Sequence, residues 1–189
     1  MKFLQVGSNR GNDDFFRYLV DNNIQVDLGI LVECFSPHIE SLRECYKDIP
    51  NILIDNVAIK PVNVKEMKMD FYYSTNDHPH FECASVNKNH VMKHYPEDTI
   101  QVCSVPSLTL DELFEIHKIN ELDWLLLDIE GIDAEIILTF NFEKYDIKRI
   151  EFEHIHLKEY GYAIKMMMKG MGYTQTDSLH HFDWAFEKL

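Results

Sequence analysis

Positive charge is what this sequence has least of. Its 18 Lys and Arg face 32 Asp and Glu, for a formal net charge of −14 at pH 7 with histidine neutral. Nucleic-acid binding rests on neutralising phosphates with Lys and Arg, so that partner class is disfavoured, and an anionic membrane surface for the same reason. Long apolar runs are missing too. None approaches the roughly 20 residues of a membrane-spanning helix, and no basic-then-apolar leader opens the chain, so a cytoplasmic protein is expected. Cysteine is sparse: Cys34, Cys45, Cys83 and Cys103 form no CxxC pair and have no His at zinc-finger spacing. Free, mostly buried thiols in a reducing compartment are expected. Glycine is scarce, with 7 in 189 residues, yet two fall within the first eleven.

What is present is globular. The hydrophobic fraction is 46% and the aromatic fraction 12%, in a chain long enough for one sizeable core. Strand and helix patterns alternate. Strands are expected at 2–6, 25–32, 51–59, 124–128 and 147–152, with helices at 12–21, 36–46, 132–140 and 158–169. Ser36-Pro37 reads as an N-cap followed by proline in the first helical turn, and two closing strands are expected near 172–176 and 181–187. Such alternation implies a doubly wound, mostly parallel α/β sheet. The last two strands would add an antiparallel edge. Residues 60–106 break the rhythm: they hold four of the six prolines and the run Asp70-Phe71-Tyr72-Tyr73, and little helix is expected until a new one starts at Ser107. An insertion of this length is where substrate loops sit. No repeat or flexible linker divides residues 1–189, so one domain is expected.

Four segments carry chemistry. The first strand runs into Gly7-Ser8-Asn9-Arg10-Gly11-Asn12 and then a helix, a combination suited to an anionic or nucleotide-bearing ligand. Glu33, 22 residues after Gly11, falls at the end of the second strand, where a carboxylate can accept both hydroxyls of an adenosine ribose. Asp128-Ile129-Glu130-Gly131 ends the most apolar strand, and Glu151-Phe152-Glu153-His154-Ile155-His156 ends the next. These carboxyls and imidazoles can take a proton, hold a metal or pair with a cation. Asp128 can also simply cap the following helix.

Val6-Gly7-Ser8-Asn9-Arg10-Gly11-Asn12, Val32-Glu33, Asn56-Val57-Ala58-Ile59, Leu108-Thr109-Leu110-Asp111-Glu112-Leu113, Leu127-Asp128-Ile129-Glu130-Gly131 and Ile150-Glu151-Phe152-Glu153-His154 occur in one order. Taken together, over roughly residues 3–156, they resemble the FkbM-type methyltransferases. That resemblance implies a Rossmann-like class I fold with a seven-stranded sheet. The activity it implies is S-adenosylmethionine-dependent O-methylation of hydroxyls on sugars, glycans or related natural products. Gly7, Asn9 and Gly11, with Ser8 and Asn12 in the same turn, would cradle the methionine end of the cofactor. Glu33 would bind the ribose, Asn56 and Val57 would flank the adenine, and Asp128 would sit near the sulfonium. Ser85 falls where the family tends to carry an Ala-Ser element. The chain departs from the family pattern at Gln5, usually acidic, at Cys34, often proline, and at Leu126, often lysine. The last change puts the holding of the acceptor most in question.

A sugar hydroxyl is a poor acid, so methyl transfer to it needs a base or a metal. Asp128, Glu153 and His154 are the expected catalytic set. Either a carboxylate or His154 is the base, or the three together hold Mg²⁺ or Mn²⁺, which oxygen-rich ligands suit. Tyr73, His78, His80, Glu130 and His156 are expected near the acceptor. Because the first strand begins at residue 2, the acceptor pocket is expected from 60–106, from a second copy of the chain, or from another domain of a larger glycan-modifying protein. Met166-Met167-Met168 and Met171 are expected to pack on the sheet. Two other readings stay open: a nicotinamide-dependent oxidoreductase, which would want a third glycine, and a non-catalytic relative.

Overall fold

A computed structural model describes residues 1–157 and 159–188. Seven strands form the main sheet: β1 (Lys2–Val6), β2 (Leu28–Val32), β3 (Ile52–Asp55), β7 (Glu121–Leu127), β8 (Asp146–Glu153), β9 (Tyr173–Thr176) and β10 (Asp183–Lys188), ordered β3-β2-β1-β7-β8-β10-β9. The strands from β3 to β8 pair in parallel, while β10 is antiparallel to both its neighbours. The expected antiparallel edge is therefore one reversed strand set between β8 and the edge strand β9.

Apolar alternation explains why both faces are covered. On β1, Phe3 joins Leu31, Trp124, Phe15, Leu19, Leu42 and Tyr46 on the face of α1 (Asp14–Asp21) and α2 (Ile39–Tyr46). Leu4 and Val6 point the other way, with Ile30, Val32, Leu125, Leu127, Ile150 and Phe152. That side is covered by α4 (Leu110–Ile116), α5 (Asp133–Thr139) and α6 (Tyr160–Gly170). Period-2 side-chain placement on strands buried on both faces produces this division. On α6, Met168 is fully buried, Met167 and the C-cap residue Met171 pack partly against the core, and Met166 is exposed. All four cysteines are free and half-buried rather than mostly buried: Cys45 packs at the margin of the Phe3 core, and Cys34 and Cys103 at the margin of the Phe35–Phe71 cluster.

Residues 60–106 are more regular than expected. β5 (Lys68–Ser74) pairs antiparallel with β6 (Ile100–Leu108), which pairs in parallel with the short β4 (Ala58–Ile59). The helix α3 (Lys88–His94) packs on β5. The expected strand 51–59 is thus two strands in different sheets. Its break is fixed by Asn56, whose amide donates to the Glu33 and Cys34 carbonyls at 2.7 and 3.0 Å. Ser107 and Leu108 end β6 rather than begin a helix, since Thr109 is the N-cap of α4, in a reciprocal capping box with Glu112. Ser36 does not cap either: residues 36–38 form a 3₁₀ turn, and the Ser36 hydroxyl donates to Asn56. Residue 158, expected to begin the last helix, lies outside the described residues. Among the described residues no helix is long and apolar enough to cross a membrane.

Candidate active site

The strand order reverses between β1 and β7, and a cleft of about 590 Å³ opens beyond their C-terminal ends. Open α/β sheets bind ligands at this switch point, and the volume lies within the usual range for small-molecule pockets. One wall is the turn after β1. The Gly7 and Ser8 amides donate to the Val32 carbonyl at 2.9 and 3.0 Å, and the Asp128 amide donates to Val6 at 3.0 Å. These bonds knit the ends of β2, β1 and β7 together. Gly7 has φ +80°, and a Cβ there would lie 1.7 Å from the Asp128 carbonyl oxygen. Only glycine satisfies both constraints.

Gly11 has a different job. A Cβ on it would strike Leu42 and Tyr46, so this glycine lets the turn sit down on α2. It does not line the cleft, and neither do Ser8 and Asn12; Gly7 and Asn9 do. Asp13 caps α1, accepting from the Phe16 amide at 2.7 Å and from the Gln5 amide at 2.6 Å. Gln5, where the family pattern expects an acid, is therefore tied to an acid eight residues on.

Glu33 is buried at the end of β2. Its Oε2 accepts from the Asn9 amide at 2.7 Å and its Oε1 from the Phe35 amide at 2.6 Å. Burial pushes its pKa up to about 7 against the opposing pull of these bonds. A carboxylate offers about four acceptor positions, so two remain for a ligand. Val57 lines the cleft beside it, whereas Asn56 is occupied in clamping the β2 end from behind. Phe35, Phe71 and Phe81 supply aromatic wall. His38 joins them, buried and stacked edge-on to Phe35 at 5.1 Å, and burial with Arg10 nearby lowers its pKa to about 4. Nothing in the sequence pattern marked His38.

The floor is acidic. Asp128, Glu130, Glu151, Glu153 and Asp183 line the cleft, and Asp133 lies behind it on α5. Protein atoms crowd Asp128 although its side chain faces the opening. Burial first, then Glu130, Asp133 and Asp183, raise its carboxyl well above the ordinary range. Burial first, and then neighbouring carboxylates, lift Glu130 to about 8 (Asp133, Asp77 and Glu82), Glu153 to about 9 (Glu130, Asp128, Asp133 and Asp183) and Asp183 to about 7 (Glu151, Asp133 and Asp14). These groups are held close without enough positive charge among them.

Glu130 sits at φ +51° and Gly131 at +89°, two left-handed residues in succession. The loop is pinned from the insertion, where the Ser85 hydroxyl donates to the Glu130 carbonyl at 2.7 Å. Asp133 Oδ1 accepts from the Ile129 amide at 3.1 Å, so Asp133 rather than Asp128 closes this turn. Segment 81–86 passes over the cleft and lines it. Tyr73, His78 and His80 do not. Tyr73 packs on Phe35 and Phe81, His78 packs on Phe81, and His80 contributes its carbonyl to Asn9.

Asp128, Glu153 and His154 do not converge on one point. β8 ends at Glu153, the His154 amide bonds to the Phe182 carbonyl, and its ring stacks on Trp184 at 4.8 Å. Among the described residues, ligand-type atoms within 4.8 Å of one another belong to His90, His94 and His156 and to Glu130, Glu153 and His156. Sequence reasoning missed His90 and His94. Their i, i+4 spacing was the available signal, in a segment where little helix was expected.

A seven-stranded sheet of this order, with one reversed strand beside its edge and its cleft at the switch point, is the Rossmann-like fold of methyltransferases. The family model for the methyltransferase FkbM domain matches residues 5–174. The chain belongs to the FkbM methyltransferase family. Its fold is similar to methyltransferase FkbM from Methylobacillus flagellatus KT at 10% identity and a TM-score of 0.57, covering 98% of this chain and 43% of that one. It thus spans less than half of that protein's length. Weaker likenesses are to a fibrillarin pre-rRNA processing protein of Methanococcus jannaschii, at 12% identity, TM-score 0.45, and 98% and 64% coverage. Another is to a ribosomal protein L11 methylase of Lactobacillus delbrueckii subsp. bulgaricus, at 8% identity, TM-score 0.44, and 100% and 70% coverage. No curated protein matches the chain.

Proposed function

We infer that this methyltransferase uses S-adenosylmethionine to methylate a hydroxyl of a sugar, a glycan or a related small natural product. The observation that carries the reading is the acidic floor directly beneath the Gly7 turn. Its mutually repelling carboxyls suit a ligand bearing a sulfonium and an ammonium, and a nicotinamide cofactor with its pyrophosphate is a poor fit there. Gly7 fits the donor's methionine end, because a bare backbone wall leaves room for close approach. Glu33 has two acceptor positions left for ribose hydroxyls, with Val57 and the Phe35 ring beside the adenine.

When bound, the cofactor supplies an electrophilic methyl group. That group would pass from sulfur to the acceptor oxygen, an S–CH₃ bond giving way to an O–CH₃ bond, and the hydroxyl proton would go to a base held by the chain. Asp128 orients the positively charged end of the donor. Glu153 is the base: its Oε2 is buried without a hydrogen bond, and its neighbours give it a high proton affinity. A cationic donor beside it favours the ionised form that can accept the proton. Phe81 and Phe71 offer faces for the apolar side of a sugar ring, and the −14 charge suits a neutral acceptor better than a polyanion.

The test is transfer of a labelled methyl from the donor to a panel of sugars and glycans. Glu153→Gln should lower kcat by about 10²–10⁴ while donor affinity holds, and Asp128→Asn should weaken the donor. Full turnover in Glu153→Gln would remove Glu153 from the reaction.

A further inference from the structure

The strongest feature the donor reading leaves unused is the histidine group on the cleft wall. α3 is capped by Asn87 and carries His90 and His94 one turn apart on a single face. His156 reaches the same place from the turn after β8, with ring centroids 4.6 Å from His90 and 6.3 Å from His94. Glu130 comes from the left-handed loop after β7. Three separate parts of the chain therefore deliver nitrogen and oxygen atoms to two groups that share His156, one with His90 and His94 and one with Glu130 and Glu153. His94, Glu130, Glu153 and His156 all line the cleft.

We propose that His90, His94, His156 and Glu130 form a binding site for one divalent transition-metal ion of the zinc type, opening onto the cleft. His90 is 1% exposed, and neither of its ring nitrogens makes a hydrogen bond. Gly131 lies against its Nδ1, where even a Cβ would come within 2.8 Å, which leaves Nε2 facing Glu130. That Nε2 is 2.9 Å from Glu130 Oε2 without hydrogen-bond geometry. His156 Nε2 is 4.0 Å from the same oxygen and 3.7 Å from Glu153 Oε2, a second buried atom with no hydrogen bond. Zinc binds imidazole nitrogen and carboxylate oxygen at about 2.0–2.2 Å, so tetrahedral ligand atoms lie about 3.3–3.5 Å apart. The observed separations straddle that value. An ion at the centre would make a ligand of His90 Nε2, which has no hydrogen bond, with small adjustments of the side chains around it.

The donor set selects the ion. Three imidazoles and one carboxylate suit zinc and its first-row neighbours, whereas Mg²⁺ and Ca²⁺ prefer all-oxygen sites. This replaces the expected Mg²⁺ or Mn²⁺ on Asp128, Glu153 and His154. Four protein ligands fill a tetrahedral site, so with Glu153 alongside rather than ligating, an oxygen ligand from the cleft would enter by expansion to five-coordination. That use of the site rests on the methyltransferase reading: the ion would hold the acceptor hydroxyl and lower its pKa beside Glu153.

The test takes the full chain, stripped of metal by a chelator, and titrates it with Co²⁺ by visible absorption and with Zn²⁺ by calorimetry. Saturation at one ion per chain is expected, with the absorption of a low-coordinate Co²⁺ site, displacement by Zn²⁺ and no competition from Mg²⁺. His94 is exposed, so His94→Ala should leave the metal-free fold intact while weakening Zn²⁺ by at least about 100-fold, the upper end of what losing an outer-shell partner costs. His156→Gln should weaken it as well, which guards against a misleading result from one variant. A folded protein that binds neither ion, or one whose binding ignores both substitutions, would overturn the site. No methyl donor is present, so failure of donor binding in a separate titration with S-adenosylhomocysteine would count against the methyltransferase reading alone.

Discussion

Replacing Gly7 with alanine probes the junction on which the cleft is built. Two penalties arise from one methyl group. An L-residue at φ +80° pays the left-handed cost of roughly 1–2 kcal/mol. The new Cβ would also lie 1.7 Å from the Asp128 carbonyl oxygen, where real contacts stay beyond 3.0 Å, so backbone must move by at least 1.3 Å. Neither neighbour is a flexible side chain, since the Asp128 amide is itself bonded to Val6. Overpacking of this kind costs about 1–3 kcal/mol, for a sum of about 2–5 kcal/mol. At this chain length that lowers Tm by roughly 5–20 °C. Gly172→Ala is the control: φ is +86° but nothing lies within 4 Å of its Cβ, so only the first cost applies. Urea and thermal unfolding measure both variants, and calorimetry with S-adenosylhomocysteine measures the cleft. Displacement of the turn by about 1 Å should weaken the ligand by on the order of 100-fold in Gly7→Ala and leave it unchanged in Gly172→Ala. Equal stability losses in the two variants, or near-normal ligand affinity in Gly7→Ala, would refute the reasoning.

Glu33 predicts a pH dependence. Its pKa is raised to about 7 in the free protein, so its ionisation disfavours the fold, and its contribution to stability declines as pH rises from the ordinary carboxylate range through 7. Ribose hydroxyls donate to the ionised form, so affinity for S-adenosylhomocysteine should run the opposite way, about tenfold tighter at pH 8 than at pH 6. Glu33→Gln should bind more weakly with that pH step removed, and an unchanged step would assign it to another group. Gly170 lies at the end of α6 with open space around it, so Gly170→Ala should stabilise by about 0.5–1 kcal/mol, read as a higher urea midpoint with unchanged slope. A lower midpoint would mean the helix end needs the freedom of glycine.

The seven-stranded sheet was legible because its central strands are apolar on both faces and its turns carry glycine or acid at the strand ends. Gly7, Glu33 and Asp128 could be placed from those boundaries alone. What could not be read depends on partners distant in the chain. Ser107 and Leu108 are held in β6 by Ala58 and Ile59, about fifty residues earlier, whereas a local reading sees only the Thr109–Glu112 capping box and starts the helix too soon. α3 buries only His90 and Val91, too few apolar positions to show a period. The ligand geometry around Glu130 needs two left-handed residues and a hydroxyl from Ser85, forty-five positions away. His154 belonged to the expected catalytic set because it follows Glu153, but the strand ends between them and the ring turns onto Trp184.

The central claim is that the switch-point cleft is a methyl-donor site. Calorimetric titration of the purified chain with S-adenosylhomocysteine tests it most directly. One saturable site per chain is expected, displaced by S-adenosylmethionine and weakened by Glu33→Gln and Gly7→Ala. A folded chain that gives no binding heat across a range of temperatures, or binds equally well after both substitutions, would contradict it.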